Sequence, residues 1–263
     1  MKRYIKRYIG LLVLASALIT LTDAVAADAL ASKQAPSETS TASEPATTDQ
    51  KFAIDSSLEV NSRRSVFEYA GLTFAPWGSE KSGLRMKIES VNGGYYYNQQ
   101  GDLESNQLLI HGHFLGGTAS VGYEYVGDTL SVAGFVGGDY QHESLSFQDP
   151  ANPTRGTHWG VKFAGEADYR PEESTSLFLM GQFSTANDSW WSKFRPGYAV
   201  MPGVFVGPEV GYQGDNFYQT WKVGAHMRGF KVGALQIGLA SGFLRNSVIG
   251  NGVYGAIDAS LRF

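Results

Sequence analysis

Five histidines, His111, His113, His142, His158 and His226, are the side chains best suited to moving protons near neutral pH. His111 and His113 stand two residues apart and share a face if the chain is extended there. Ser120 lies on a neighbouring stretch. Hydrolysis or acyl transfer needs a serine activated by a histidine that a carboxylate or amide orients. No recognisable nucleophile motif surrounds these residues, so no catalytic residue is assigned. A His-x-His pair can also chelate a metal, yet no carboxylate of matching spacing accompanies it, and no metal site is assigned. The chain contains no cysteine, which removes thiolate chemistry and any disulfide framework. Its glycine-rich segments fall within extended runs and not at strand-to-helix turns, so neither a phosphate-binding loop nor a dinucleotide fingerprint is present. No cofactor is expected.

The charged residues form a second constellation. Arg85, Lys87, Glu89, Glu124, Asp139, Lys162, Glu166, Asp168, Arg170, Lys193, Arg195, Glu209, Lys222, Arg228, Asp258 and Arg262 all occupy the polar phase of alternating segments. Both signs are interleaved, which argues against a strongly ion-selective pore. Two readings stay open. The charges neutralise one another as ion pairs that plug a narrow interior, or they line a polar path for a neutral, hydroxyl-rich ligand such as a glycan. Trp159, Trp191 and Tyr218 would then serve as stacking surfaces.

Positioning such a set requires strands. The C-terminal run from Val253 to Phe263 alternates apolar and polar residues up to the final aromatic, as a strand with one greasy and one wet face must. Twelve such runs follow one another, at about 51–60, 64–76, 83–97, 106–126, 129–147, 157–170, 175–186, 189–201, 203–213, 217–230, 233–245 and 251–263. No amphipathic helix interrupts them. The expected fold is all-β: a transmembrane antiparallel up-and-down β-barrel of about twelve strands, of the outer-membrane type. Short turns at Gly127-Asp128, Pro171 to Ser174, Pro202-Gly203 and Phe230 to Val232 alternate with longer polar connections at Asn98 to Ser105, Gln148 to Gly156 and Asn246 to Gly250. The first set suits periplasmic turns and the second suits cell-surface loops. The runs at 106–126 and 129–147 are about twice the 9–11 residues that crossing needs, so this hairpin is expected to project beyond the membrane. In the first of them the apolar phase changes from even positions (Leu108, Ile110, Phe114) to odd ones (Ala119, Val121, Tyr123, Tyr125). That change predicts a β-bulge at Gly116-Gly117.

The N-terminus supplies a compartment. Lys2, Arg3, Lys6 and Arg7 precede an apolar stretch of about 13 residues and a small-x-small site at Ala24-Val25-Ala26, the pattern of a cleaved signal peptide over 1–26. Residues 27–50 are rich in Ala, Ser, Thr and Pro, and read as a disordered periplasmic tail. Residues 51–263 form the barrel. A net charge of −4, with 17% charged residues, gives no reason to expect nucleic acid.

The middle of the chain resembles a known family. Gly137-Gly138-Asp139-Tyr140-Gln141-His142 leads into Asp149-Pro150-Ala151-Asn152-Pro153-Thr154-Arg155-Gly156, then Trp159-Gly160-Val161-Lys162 and Ala164-Gly165-Glu166. Trp191, Arg195-Pro196-Gly197-Tyr198, Gly207-Pro208-Glu209 and Tyr218 follow. Together these are similar to the cellulose biosynthesis protein BcsS family of α-proteobacterial type, over approximately Ser65 to Phe263. The sequence departs from that pattern near Thr220-Trp221. The resemblance implies a non-enzymatic outer-membrane accessory of cellulose (exopolysaccharide) biosynthesis, secretion or surface anchoring. Its partners would be outer-membrane lipid, with cellulose or another polysaccharide and the synthase and export machinery. Two alternatives are a lipid A or glycan-modifying barrel enzyme using His111 or His113, and a small diffusion porin. Asp139, Asp149, Asn152, Arg155, Trp159, Lys162, Glu166, Trp191, Arg195, Glu209 and Tyr218 are the candidates for a glycan site or loop network. Within the long loop, Pro150 and Pro153 fix the backbone, and Asp149 and Arg155 are expected to close it electrostatically.

Overall fold

The structure is a computed structural model that describes residues 50–98 and 108–263. The expected signal peptide over 1–26, nearly all of the expected tail over 27–50 and the segment 99–107 lie outside the described residues. Twelve strands follow in chain order: β1 (Phe52–Asn61), β2 (Val66–Phe74), β3 (Gly83–Asn98), β4 (Leu109–Val126), β5 (Leu130–Leu145) and β6 (Gly156–Glu172) form the first half. The second half is β7 (Thr175–Ser184), β8 (Ser189–Met201), β9 (Val204–Gly214), β10 (Gln219–Val232), β11 (Leu235–Asn246) and β12 (Gly250–Arg262). Each strand pairs antiparallel with its sequence neighbours, and β1 closes on β12 from Ala53↔Arg262 to Asn61↔Tyr254. Closure leaves no free sheet edge, the condition for crossing lipid with strands.

Burial is inverted relative to a soluble protein. Arg85, Glu89, Asp139, Lys162, Arg195, Glu209 and Lys222 are buried, while Ile88, Phe163, Leu179, Val223 and Phe243 are exposed. The period-2 geometry of strands sends the first set to the lumen and the second to the outer wall. Two aromatic girdles bound that wall. The stack Trp190–Tyr212–Trp221 and the pair Tyr140–Trp159 mark the distal end. Tyr123, Tyr125, Tyr169 and Tyr198 mark the basal end, where β1 starts and β12 finishes. On β6 the ten residue steps from Trp159 to Tyr169 span about 25 Å along the barrel axis, given roughly 3.4 Å per step and a tilt near 40°. That is the height of an outer-membrane apolar band.

The turns obey their chemistry. Asn187 and Asp188 both take positive φ (56° and 47°), as a two-residue type I′ hairpin requires. Pro202-Gly203 closes the β8–β9 turn with Gly203 at φ 75°, a conformation that glycine adopts without strain. Strands β3 to β6, at 16, 18, 16 and 17 residues, are longer than any of the others.

One local expectation is overturned. Pairing of β4 runs without a register shift from Leu109 to Glu124 on β3 and from Gly112 to Val126 on β5, so there is no bulge at Gly116-Gly117. Even positions point inward along the whole strand. Ile110 and Phe114 are apolar because the distal lumen has an apolar lining of its own, with Ile110 wholly buried and Phe114 facing the cavity. The composition of the inner wall changes there, and the phase of the backbone does not. Register does shift near the basal end, at Tyr169/Glu172, Ala199/Met201 and Met227/Phe230.

Candidate functional site

The lumen holds three tiers. In the basal tier, Arg85 on β3 is fully buried. It donates to the Glu124 carboxylate at 2.7 Å and to the carbonyls of Leu84, Ser79 and Lys81, which pins the β2–β3 connection to the wall. Arg228 on β10 reaches across to Asp168 on β6, which also takes a 3.1 Å contact from Arg170. The Arg228 guanidinium lies over the Phe178 ring at 5.1 Å, and that of Arg170 over Phe205 at 5.7 Å. Strands β6 and β10 are four apart around the wall, so this bridge crosses the bore.

The middle tier contains three further transverse networks. Lys162 and Glu166 of β6 meet Glu89 and Lys87 of β3 at 2.9 and 3.0 Å, and the Tyr69 hydroxyl donates to Glu89 at 2.9 Å. Arg195 of β8 binds Glu209 on the adjacent strand and Asp258 on β12 at 2.8 Å. Tyr254 donates to Glu209 at 2.7 Å, and Ser57 to Asp258 at 2.8 Å. Lys222 of β10 grips both oxygens of Glu59 on β1 and the amide oxygen of Gln213. Charges drawn from strands three or four apart therefore brace the barrel internally.

The distal tier is a plug held by hydroxyls and amides. Glu143 of β5 accepts from the Tyr95 hydroxyl, from Asn152 Nδ2 at 3.0 Å and from Thr154 Oγ1 at 2.5 Å. Asp149 accepts from the Tyr97 hydroxyl at 2.8 Å and the Ala151 amide at 3.1 Å. Phe217, from the β9–β10 loop, packs edge-on against Tyr97 with centroids 5.2 Å apart. Asp215 in that loop accepts from the Phe217 and Tyr218 amides. Burial pushes its carboxyl up to about 6 despite those two bonds, and nearby Glu143 adds to the rise. A cavity of about 580 Å³ runs alongside all three tiers, lined by Thr154, Asp215 and Phe217 distally, by Glu89, Lys162 and Arg195 midway, and by Asp168 and Arg228 basally.

The sequence-predicted residues divide among these tiers. Lys162, Glu166, Arg195 and Glu209 belong to the braces. Asp149 and Asn152 build the plug, both about 2% exposed. Asp139 is buried but faces no cation; it accepts from Thr118, Ser184 and Gln141 at 2.6–2.8 Å. Two expectations are corrected. Arg155 does not close the loop on Asp149, because Asp149 is satisfied by Tyr97 and Ala151, while Arg155 is exposed and its carbonyl meets His158. Trp159 is 76% exposed on the outer wall against Tyr140; its odd position on β6 sets it opposite to inward Lys162, so it offers no stacking surface to the lumen. Trp191 and Tyr218 do line the cavity.

His111 lies stacked on Tyr96 with centroids 4.5 Å apart, and His142 Nδ1 meets Thr157 Oγ1 at 2.8 Å. Sequence reasoning missed Glu143, Thr154, Tyr95 and Tyr97. The inward parity already evident at Asp139 would have reached Glu143, two steps on. No periodicity pairs a tyrosine of β3 with a loop fifty residues away.

Comparison with known proteins gives one family. The profile described as cellulose biosynthesis protein BcsS matches residues 59–263, most of the chain. Among curated proteins nothing matches. Among solved structures, the KdgM porin in complex with disordered oligogalacturonate is 11% identical, with a TM-score of 0.42, covering 80% of this chain and 99% of the porin. The TodX deltaS2S3 mutant monoaromatic hydrocarbon channel is 7% identical, with a TM-score of 0.46, covering 81% of this chain and 90% of the channel. The Acinetobacter baumannii outer membrane protein Omp33 is 13% identical, with a TM-score of 0.37, covering 81% and 98%.

Proposed function

The chain belongs to the cellulose biosynthesis protein BcsS family, and from that premise we propose that it is a non-enzymatic outer-membrane barrel that binds or organises polysaccharide at the cell surface without conducting it. An apolar wall between two aromatic girdles supports residence in the outer membrane. A cleaved signal over 1–26 would bring it there, and the 27–50 tail would extend into the periplasm. The observation that carries the reading is the set of transverse ion pairs: Arg228–Asp168, Arg195–Asp258, Lys222–Glu59 and Lys87–Glu166. A polymer threading the bore would have to displace several of these pairs, whose cations are more deeply buried than their carboxylates. The cavity alongside the braces, which reaches the distal loops at Thr154 and Phe217, instead suits a short stretch of glycan.

Deletion of the gene, with complementation by wild-type or variant chains, tests this through retention of a cellulose-binding dye on colonies. The expected result is reduced or mislocalised polymer on deletion, with full rescue by His111→Ala and His113→Ala chains. Unchanged dye retention would contradict the cellulose role. Loss of lipid A or glycan turnover in either histidine variant would favour an enzyme instead.

A further inference from the structure

Among the described lumen cations, Lys193 stands apart. Arg85, Lys87, Lys162, Arg170, Arg195, Lys222, Arg228 and Arg262 each lie within 4.0 Å of a carboxylate. Lys193 makes neither an ion pair nor a hydrogen bond among the described residues. Its ammonium lies over the face of Trp191, 5.0 Å from the ring centroid. The nearby carboxylates of Asp258 and Glu209 are taken by Arg195, Ser57 and Tyr254.

The surroundings of Trp191 are those of a binding subsite. Gln182 on β7 and Gln213 on β9 sit directly across from it in the same rung. All four side chains line the 580 Å³ cavity. Gln213 already accepts from Lys222, whereas Gln182 makes no side-chain hydrogen bond among the described residues. An aromatic face between two amides is a fitting seat for a sugar ring. Here, however, an ammonium rests on that face. A neutral sugar that stacks on Trp191 displaces the ammonium from its cation–π contact and offers it only uncharged hydroxyl acceptors in return. A sugar bearing a negative group stacks on the ring and supplies the displaced ammonium with a charge-assisted partner.

We propose that Trp191, Lys193, Gln182 and Gln213 form a subsite for an anionic sugar unit, one carrying a carboxylate or a phosphate. This rests on the reading of the lumen as a glycan site and narrows its ligand. A cation held against an inward ring with no ion pair among the described residues is charge that a wholly neutral glucan leaves unmatched.

The test is isothermal titration of the purified mature barrel in detergent with four probes: a β-1,4-glucan tetrasaccharide, its C6-oxidised uronate counterpart, glucose 6-phosphate and inorganic phosphate. The expected result is at least tenfold tighter binding of an acidic sugar than of the neutral tetrasaccharide. Lys193→Met abolishes that preference and Lys193→Arg retains it, with both variants still heat-modifiable on gels as proof of folding. The uronate and phosphate arms show which anionic group is preferred. Equal affinity for neutral and acidic glycans, unchanged preference in Lys193→Met, or binding of inorganic phosphate as tight as that of the sugars would each overturn the proposal. Selectivity in vitro is independent of dye retention by colonies, so this subsite and the cellulose role fail separately.

Discussion

At the scale of single residues, the lumen shows how buried charge is tolerated when every partner is in place. Arg195 is 6% exposed and Glu209 2%, and both are held by further groups. Removing Glu209 leaves Arg195 its Asp258 partner but takes away the acceptor of the Tyr254 hydroxyl. Glu209→Ala should therefore cost about 1–3 kcal/mol, read as a lowered midpoint of denaturant unfolding followed by gel mobility; an unchanged midpoint would mean that Asp258 alone holds Arg195. Asp215 makes a different forecast. Its folded pKa of about 6 lies above the ordinary 3.8, so between these values the native loop binds more protons than the unfolded chain. Loop stability is then greatest at the acid end of that window, falls as pH rises through about 6 and is flat above. Amide exchange of Phe217 and Tyr218, corrected for intrinsic rate, should show weaker protection at pH 7 than at pH 5. Asp215→Asn keeps the acceptor oxygen and should remove the difference.

At the scale of elements, the strands were legible and some of their contents were not. Alternation in β1, where Phe52, Ile54, Leu58 and Val60 oppose Asp55, Ser57 and Glu59, needs only the two-residue period, and the structure keeps that division. The same reasoning misplaced a bulge in β4, because it equated apolar with outward. That equation holds where lipid covers the wall and lapses where the inner wall itself is apolar, as at Ile110 and Phe114. The plug itself was half legible: Asp149 and Asn152 stood out in a proline-fixed loop. Their partner Tyr97 lies on a strand that local sequence does not connect to them. A paired substitution tests the facing of β6. Phe163, outward and midway between the girdles, should cost about 2–4 kcal/mol as Phe163→Arg. One residue away, Lys162→Arg should be tolerated, since it still meets Glu89. Equal penalties in a folding titration would refute the assignment of faces.

At the scale of the molecule, a closed sheet of twelve strands encloses more room than side chains alone would fill, and this chain spends that room on braces, a cavity and a plug. The family match covers 59–263, beginning six residues before the Ser65 at which the sequence likeness was drawn, so the likeness and the barrel coincide. The central claim is that the bore is obstructed by ion pairs drawn from strands three or four apart around the wall, which leaves the protein a surface for glycan instead of a conduit. Conductance across planar lipid bilayers, after reconstitution of heat-modifiable protein, tests this most directly. The wild-type barrel should insert with little or no steady current, and the double variant Asp168→Ala, Arg228→Ala combined with Glu143→Ala should show clear open steps. Large steady currents through the unmodified barrel would contradict the claim.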